Sequence, residues 1–295
     1  MTFKNNELQK HAFNVFKAEM SQRLAKKPEI IKRLTPSFAV GCRRLTPGPG
    51  YLEALVEDNV SFISTAISHI SPSGVHLIDG THIPLDVLVC ATGFDTGGLP
   101  PFAVVGRNGV TLANRFTPYP QTYLAIATNG FPNYFMMLGP NAVVGTGSLT
   151  TILESQGDYI VKCIRKLQRE NYKSMEPAEG RVRDFSDYVD AYFKDTVYMD
   201  TCNSWYRSEG GKGDRVTGLW PGSTLHAVEA LRSPRWEDWE FEGLENKLAW
   251  LGNGWSMTQL GEGDAAFYLE PSVVDVPPVA KPEEDENLKM RPFCY

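Results

Sequence analysis

Two adjacent arginines, Arg43 and Arg44, stand in the segment Gly41-Cys42-Arg43-Arg44. Neighbouring guanidiniums resist deep burial unless anions meet them. A group that is permanently charged and does not readily surrender its proton suits the holding of a phosphate or a developing anion. A second candidate is the glycine loop, where Met136-Met137-Leu138-Gly139-Pro140-Asn141 leads through Gly145-Thr146-Gly147 into Ser148-Leu149. A helix starting there exposes unpaired N–H groups and about half a positive charge, on which a phosphate or an anionic ring edge can rest. A third is Cys202-Asn203-Ser204-Trp205-Tyr206, followed by a glycine-rich loop from Arg207 to Arg215. Trp205 offers a flat apolar face with one N–H, and Gly210, Gly211 and Gly213 suit a loop that closes as a lid. The fourth is Val87-Leu88-Val89, which runs into Ala91-Thr92-Gly93. An apolar strand that ends in small residues leaves room for a ligand or another backbone. Taken singly, the first three have plainer readings: a solvated arginine pair, an ordinary turn with a helix cap, and a core tryptophan beside a turn.

The elements that must position these residues follow from periodicity. Residues 6–33 read as one or two helices, with Phe13, Phe16, Met20 and Leu24 at helical spacing and a break at Pro28. Val60 to Ile67 reads as a strand. Val75 to Ile78 and His82 to Leu85 read as a hairpin around Asp79-Gly80. The second arm passes into the apolar strand ending at Gly93. Tyr123 to Ala127 and Tyr134 to Leu138 read as short strands, and Ser148 to Glu170 as a helix. The buried stripe of that helix is expected at Ile152, Gln156, Tyr159, Ile160, Cys163, Ile164 and Leu167. Ser186 to Phe193 reads as another short helix. The Pro-rich, acidic text after about Pro271 reads as a mobile tail.

Composition bounds the function. The chain of 295 residues is 42% hydrophobic, enough for a sizeable core, and its net charge of −6 argues against a general nucleic-acid binder. Five cysteines, Cys42, Cys90, Cys163, Cys202 and Cys294, show no paired spacing; with no secretion signal this suggests free thiols in a reducing, cytoplasmic setting. No apolar run is long enough to span a bilayer. The five histidines lack metal-ligand spacing, so no metal site is expected; His76 and His82 are expected to face each other across the hairpin.

Together, LDVLVCATGFDTG, GCRRLTPGPGYLEAL, FPNYFMMLGPN, VVGTGSL and CNSWYRSEGGKG resemble the C-terminal half of a class B flavin monooxygenase, most similar to the fungal-type Baeyer–Villiger monooxygenases. The resemblance runs from about Pro28 to about Trp239. It implies an α/β fold, part of a Rossmann-like flavoprotein with two dinucleotide-binding domains. Residues 1–85 would be the remainder of the NADP-binding domain, 86–270 the C-terminal part of the FAD-binding domain, and 271–295 a tail. The implied cofactors are FAD and NADPH. By resemblance, Arg43 reaches the NADP phosphate or ribose, and Arg44 lies over the flavin as the catalytic electrostatic group supporting a peroxyflavin. Trp205 contacts the nicotinamide cofactor, while Thr92, Gly93, Asn141, Gly145, Gly147, Ser148 and Leu149 serve the flavin. The implied reaction takes O2 and a ketone to an ester or lactone, in secondary metabolism; N- or S-oxygenation is the alternative chemistry.

Neither of the two G-x-G-x-x-G units of that family is in this sequence, nor is the motif between them. Three readings therefore stand. The chain is a piece of a larger monooxygenase, a half that works with a complementary polypeptide, or a non-catalytic remnant. Apolar strands deprived of neighbours would invite association, as a homodimer or with a partner.

Overall fold

The computed structural model describes residues 2–269 except 5, 47, 95, 244, 247, 257, 262–265, 267 and 268. Helix α1, Glu7–Arg23, begins where the Asn6 side chain accepts a hydrogen bond from the Gln9 N–H at 2.9 Å. Glu7 in its first turn and Arg23 in its last both complement the helix dipole. A 3-10 turn at Pro28–Ile30 then restarts the chain into α2, Ile31–Leu34. The left-handed Gly50 opens α3, Tyr51–Leu55. Leu24, Ile30 and Val56 pack these pieces into a small core of their own. Arg23 fastens α1 to α3 with a forked ion pair, its Nε and Nη2 donating to the two Glu53 carboxylate oxygens at 2.6 and 2.8 Å.

Strands β1 (Ile67–Ser71), β2 (Gly74–Leu77) and β3 (His82–Pro84) form an antiparallel sheet in that order. The Asp79-Gly80 turn forms as expected. The Thr81 N–H donates to the Asp79 carboxylate at 2.9 Å, and Gly80 takes the left-handed conformation at φ 87°. The register places His76 opposite both His69 and His82, and the three imidazoles stack at 4.3 and 4.4 Å. The expected strand over Val60 to Ile67 is displaced: the ladder begins at Ile67, and before it only the Ala66 carbonyl reaches across, accepting from the Ile78 N–H at 3.0 Å.

The expected strand ending at Gly93 does not form. Val87 and Val89 are 75% and 82% exposed, and no strand among the described residues pairs with them. An apolar run becomes a central parallel strand only where a ladder exists on both sides. Tyr123 to Ala127 is likewise a tight turn. Leu124 and Ala125 have φ of 48° and 61°, and the Tyr123 N–H donates back to the Ala127 carbonyl at 2.7 Å. Tyr134 to Leu138 makes one cross-link, from the Met136 N–H to the Ile126 carbonyl at 2.7 Å, before Leu138 turns at φ 54°. The last two segments carry the apolar content of strands, which burial in a turn demands equally.

Helix α4, Leu112–Arg115, is capped by Thr111. Helix α5, Leu149–Glu170, is capped by Ser148, whose Oγ accepts from the Thr151 N–H at 3.3 Å, and ends at the left-handed Asn171. Its buried residues are Ile152, Gln156, Tyr159 and Cys163; Ile160 and Leu167 are half-buried and Ile164 is exposed, so the core-facing stripe is narrower than expected. Strand β4, Ser174–Pro177, leads into α6, Glu179–Phe193, which starts earlier than its apolar pattern suggests. The single turn α7, Ser208–Gly211, and α8, Thr224–Ala230, follow. Strand β5, Trp239–Glu242, returns antiparallel to β4. Helix α5 joins two cores. Ile152 packs with Val189, Phe193, Tyr206 and Trp220, while Tyr159 and Cys163 pack with Tyr123, Met175 and Trp239.

Residues 1–244 and 245–295 are separate compact units. In the second, 3-10 turns form at Ala249–Leu251 and Thr258–Leu260. The expected tail after Pro271, with Cys294, lies outside the described residues. Among the described residues no helix is long and apolar enough to cross a membrane.

Candidate functional site

The loop carrying the arginines is short of backbone ladder bonds and is held at separate points. The Ala39 N–H donates to the Asp200 carboxylate at 2.7 Å. The Gln9 amide donates to the Val40 carbonyl at 2.9 Å. Arg44 Nη2 donates to the Val144 carbonyl at 3.1 Å. Cys42 forms a disulfide with Cys202, Cα to Cα 6.3 Å. The cysteine spacing gave no sign of this pair: the partners are 160 positions apart, and only folding brings them together. Arg43 and Arg44 are both exposed, and neither has a carboxylate within ion-pair distance among the described residues.

Across the disulfide lies the second segment. Tyr206 is buried, and burial raises its pKa; the charges of Arg44 and then Arg43 pull it the other way. The hydroxyl has no well-aligned hydrogen-bond partner among the described residues, so the guanidiniums influence it chiefly by their charge. Trp205 is 42% exposed. The glycine-rich loop after it is tied back by Arg207, whose Nη2 donates to the Cys202 and Gly211 carbonyls, each at 2.9 Å.

Arg43, Arg44, Ser204, Trp205 and Tyr206 line one cavity of about 1160 Å3. Its apolar wall is the α1 stripe of Phe13, Phe16 and Met20. The periodicity expected that stripe to face a core; it faces open space instead, and only Leu24 is fully buried. At the rim, the Arg23 guanidinium holds the Glu53 carboxyl down at about 2.

The glycine loop is more crowded than its sequence suggests. A Cβ at Gly145 would collide with the Tyr198 hydroxyl, and one at Gly147, where φ is 117°, with Thr224 Oγ1. Both glycines are therefore required by side chains of the protein itself. Asn141 is buried, and its Nδ2 donates to the Val216 and Leu219 carbonyls at 3.0 and 2.9 Å, which stitches the loop to the following segment. Ser148 and the first residues of α5 stay open: Ser148 is exposed and Leu149 half-buried.

No family profile matches the chain. Curated proteins do, among them two fungal ones. The chain is 35% identical over 250 residues to the FAD-binding monooxygenase moxY of Dothistroma septosporum, covering 84% of this chain and 40% of that protein. It is 37% identical over 253 residues to the FAD-binding monooxygenase tazF of Aspergillus terreus, covering 85% and 45%. The chain is a relative of the FAD-binding monooxygenases. A solved steroid monooxygenase bound to NADP superimposes with a TM-score of 0.71 at 25% identity, over 81% of this chain and 46% of that one. This chain thus spans less than half the length of the monooxygenases it matches, and it carries part of their α/β fold.

Within this partial monooxygenase fold, Arg43, Arg44 and Trp205 come together on one cavity. Arg44 also touches the glycine loop, because its acceptor Val144 is the neighbour of Gly145. Thr92 and Gly93 do not join them: both are exposed, and nothing lies within 4 Å of a Cβ built on Gly93. Sequence reading passed over the α1 wall, Tyr198, Thr224 and the disulfide. One signal for the last was present: Cys42 and Cys202 each immediately precede a segment assigned to the nicotinamide cofactor. Among the described residues no group of histidines, cysteines and carboxylates is arranged to hold a metal.

Proposed function

We propose that this chain is the NADP-facing and flavin-flanking portion of an FAD- and NADPH-dependent monooxygenase that inserts oxygen into a ketone in Baeyer–Villiger fashion. One observation carries the reading: two guanidiniums without carboxylate partners among the described residues and a half-exposed indole share a single cavity. That donor set fits a nicotinamide nucleotide. Arginine meets phosphate through paired N–H donors, and an indole face packs against a flat ring. The flavin fit is narrower. The cradles at Gly145 and Gly147 are already occupied by Tyr198 and Thr224, which leaves the open start of α5 and the Arg44 guanidinium beside Val144. Flavin, when bound, supplies the oxygen-activating chemistry. In this assignment Arg43 binds the nucleotide phosphate, Trp205 covers the nicotinamide, and Arg44 stabilises negative charge at the reacting centre.

The domain division near residue 85, with the NADP-binding remainder before it and the FAD-binding remainder after it, belongs to the same proposal. So does a complementary polypeptide or second copy: Val87, Val89 and Phe94 lie exposed on a segment with no strand partner among the described residues. Oxygen and a ketone would be the small-molecule partners.

The test is a titration of the full chain with NADP+, followed by tryptophan fluorescence and calorimetry. Saturable binding, weaker for NAD+ and weakened about tenfold or more by Arg43→Ala, supports the reading. Binding that ignores both the 2′-phosphate and Arg43, or no binding at all, overturns it.

A further inference from the structure

We propose that Cys42–Cys202 is a reversible thiol–disulfide switch that locks and releases the Arg43–Arg44 loop at the mouth of the cavity. The two cysteines sit at the boundary between two cavity-lining segments. Cys42 is followed directly by the two arginines, and Cys202 is followed by Ser204, Trp205 and Tyr206. A bond between them therefore sets the distance between the guanidiniums and the indole.

The two sides of the bond are anchored unequally. Cys202 belongs to the core side: its carbonyl accepts from Arg207 Nη2, and Tyr206 four positions on is buried among Val189, Phe193 and Trp220. The Cys42 side is held more lightly: Cys42 is buried and Ala39 packs against the same core, but the segment from Arg43 to Thr46 is exposed. Residues 39–46 form no helix or strand, and among the described residues their hydrogen bonds are the local Cys42 N–H to Ala39 carbonyl bond of 3.1 Å and three isolated ones. Each of these connects to a different element: Asp200, Gln9 and Val144. Breaking the covalent link would leave the arginine loop to these hydrogen bonds and the Ala39 contact, while the Cys202 segment keeps its core packing.

In thiol–disulfide exchange a thiolate is both the better leaving group in reduction and the attacking species in re-oxidation. Both sulfurs are buried in the closed form, so exchange requires the loop to lift. Reduction by a dithiol or by glutathione adds two electrons and two protons to the S–S bond and leaves two thiols; the reductant becomes a disulfide. Re-oxidation by hydrogen peroxide runs through a sulfenic acid on one cysteine with release of water. The second thiol then attacks that sulfur, the S–S bond forms, and a second water leaves. Cys90 and Cys163 lie elsewhere and do not compete: Cys90 is exposed on the unpaired run, and burial pushes the Cys163 thiol up to about 12.

The proposal stands whether or not the cavity takes a nicotinamide nucleotide, so its test reads the loops and not turnover. The full chain, equilibrated in mixtures of reduced and oxidised glutathione, is mapped by non-reducing digestion and by hydrogen exchange. A linked Cys42–Cys202 peptide should appear and disappear reversibly across the series. Reduction should speed exchange in residues 39–46 by about tenfold or more, with α5 unchanged. The C42S/C202S variant should exchange fast under every condition. Should that variant fail to fold, a C90S/C163S/C294S variant, which keeps the pair alone, gives the same reading. Three results overturn the proposal: both cysteines free under oxidising conditions, a bond that native protein does not surrender to reductant, or loop exchange indifferent to the state of the bond.

Discussion

Arg44 Nη2 donates to the Val144 carbonyl at 3.1 Å, joining positions 100 residues apart in the chain. The bond carries the arginine loop onto the glycine loop, and no carboxylate among the described residues lies within ion-pair distance of the guanidinium. Because Arg44 is exposed and its acceptor is neutral, Arg44→Ala should cost no more than about 1 kcal/mol of stability. Its electrostatic trace should be clearer. Arg44 is the largest influence lowering the pKa of Tyr206 against the effect of burial. Removing it should shift one tyrosine to ionise at higher pH, visible as the difference between wild-type and variant ultraviolet titrations. Superimposable titrations would show that the charge does not reach the phenol.

Gly145 is expected to tolerate no side chain. Alanine there meets the Tyr198 hydroxyl, whose ring is held against Phe193 and Tyr206 in edge-to-face contacts. Overpacking of this kind costs about 1–3 kcal/mol. Gly145→Ala combined with Tyr198→Phe should recover part of that loss, because the hydroxyl is the first atom struck. Chemical denaturation of the two single variants and the double variant measures the coupling. Strictly additive losses would place the collision elsewhere.

The stacked histidines make the small sheet sensitive to acid. Desolvation, then the charges of His69 and His82, lower His76 from its usual 6.5. Unfolded His76 takes its proton near that usual value and the folded residue only below it. Between the two the unfolded chain binds more protons, so stability falls as pH drops through 6.5 and levels off below the folded pKa. Denaturation midpoints taken across this range should show the decline, and His76→Gln should flatten it. An equal slope in the variant would assign the effect to other groups.

The run from Val87 to Phe94 should drive association. Val87, Val89 and Phe94 are 75%, 82% and 96% exposed on a segment whose composition suits burial on both faces. Light scattering of the full chain should report a mass above the monomer, and Val87→Lys with Val89→Lys should lower it. A wild-type chain that is monodisperse at monomer mass would refute this.

Local signals were legible in the residues alone. Asp79-Gly80 specifies its turn because an aspartate caps its own loop and glycine accepts positive φ. Ser148 specifies the start of α5 because its oxygen meets an N–H three residues on. The flavin monooxygenase reading rested on the resemblance of five segments, those around Arg43-Arg44 and Trp205 among them, and a motif can be matched without knowing where the chain places it. Tertiary structure decided what depends on distant partners. It paired Cys42 with Cys202, turned Phe13, Phe16 and Met20 toward a cavity, and set Tyr198 and Thr224 against the two glycines. It also withheld the strand at Val87-Leu88-Val89, for which no ladder partner exists among the described residues. An apolar run states a preference for burial, and only the surrounding backbone determines whether that preference is met as a strand, as a turn, or not at all.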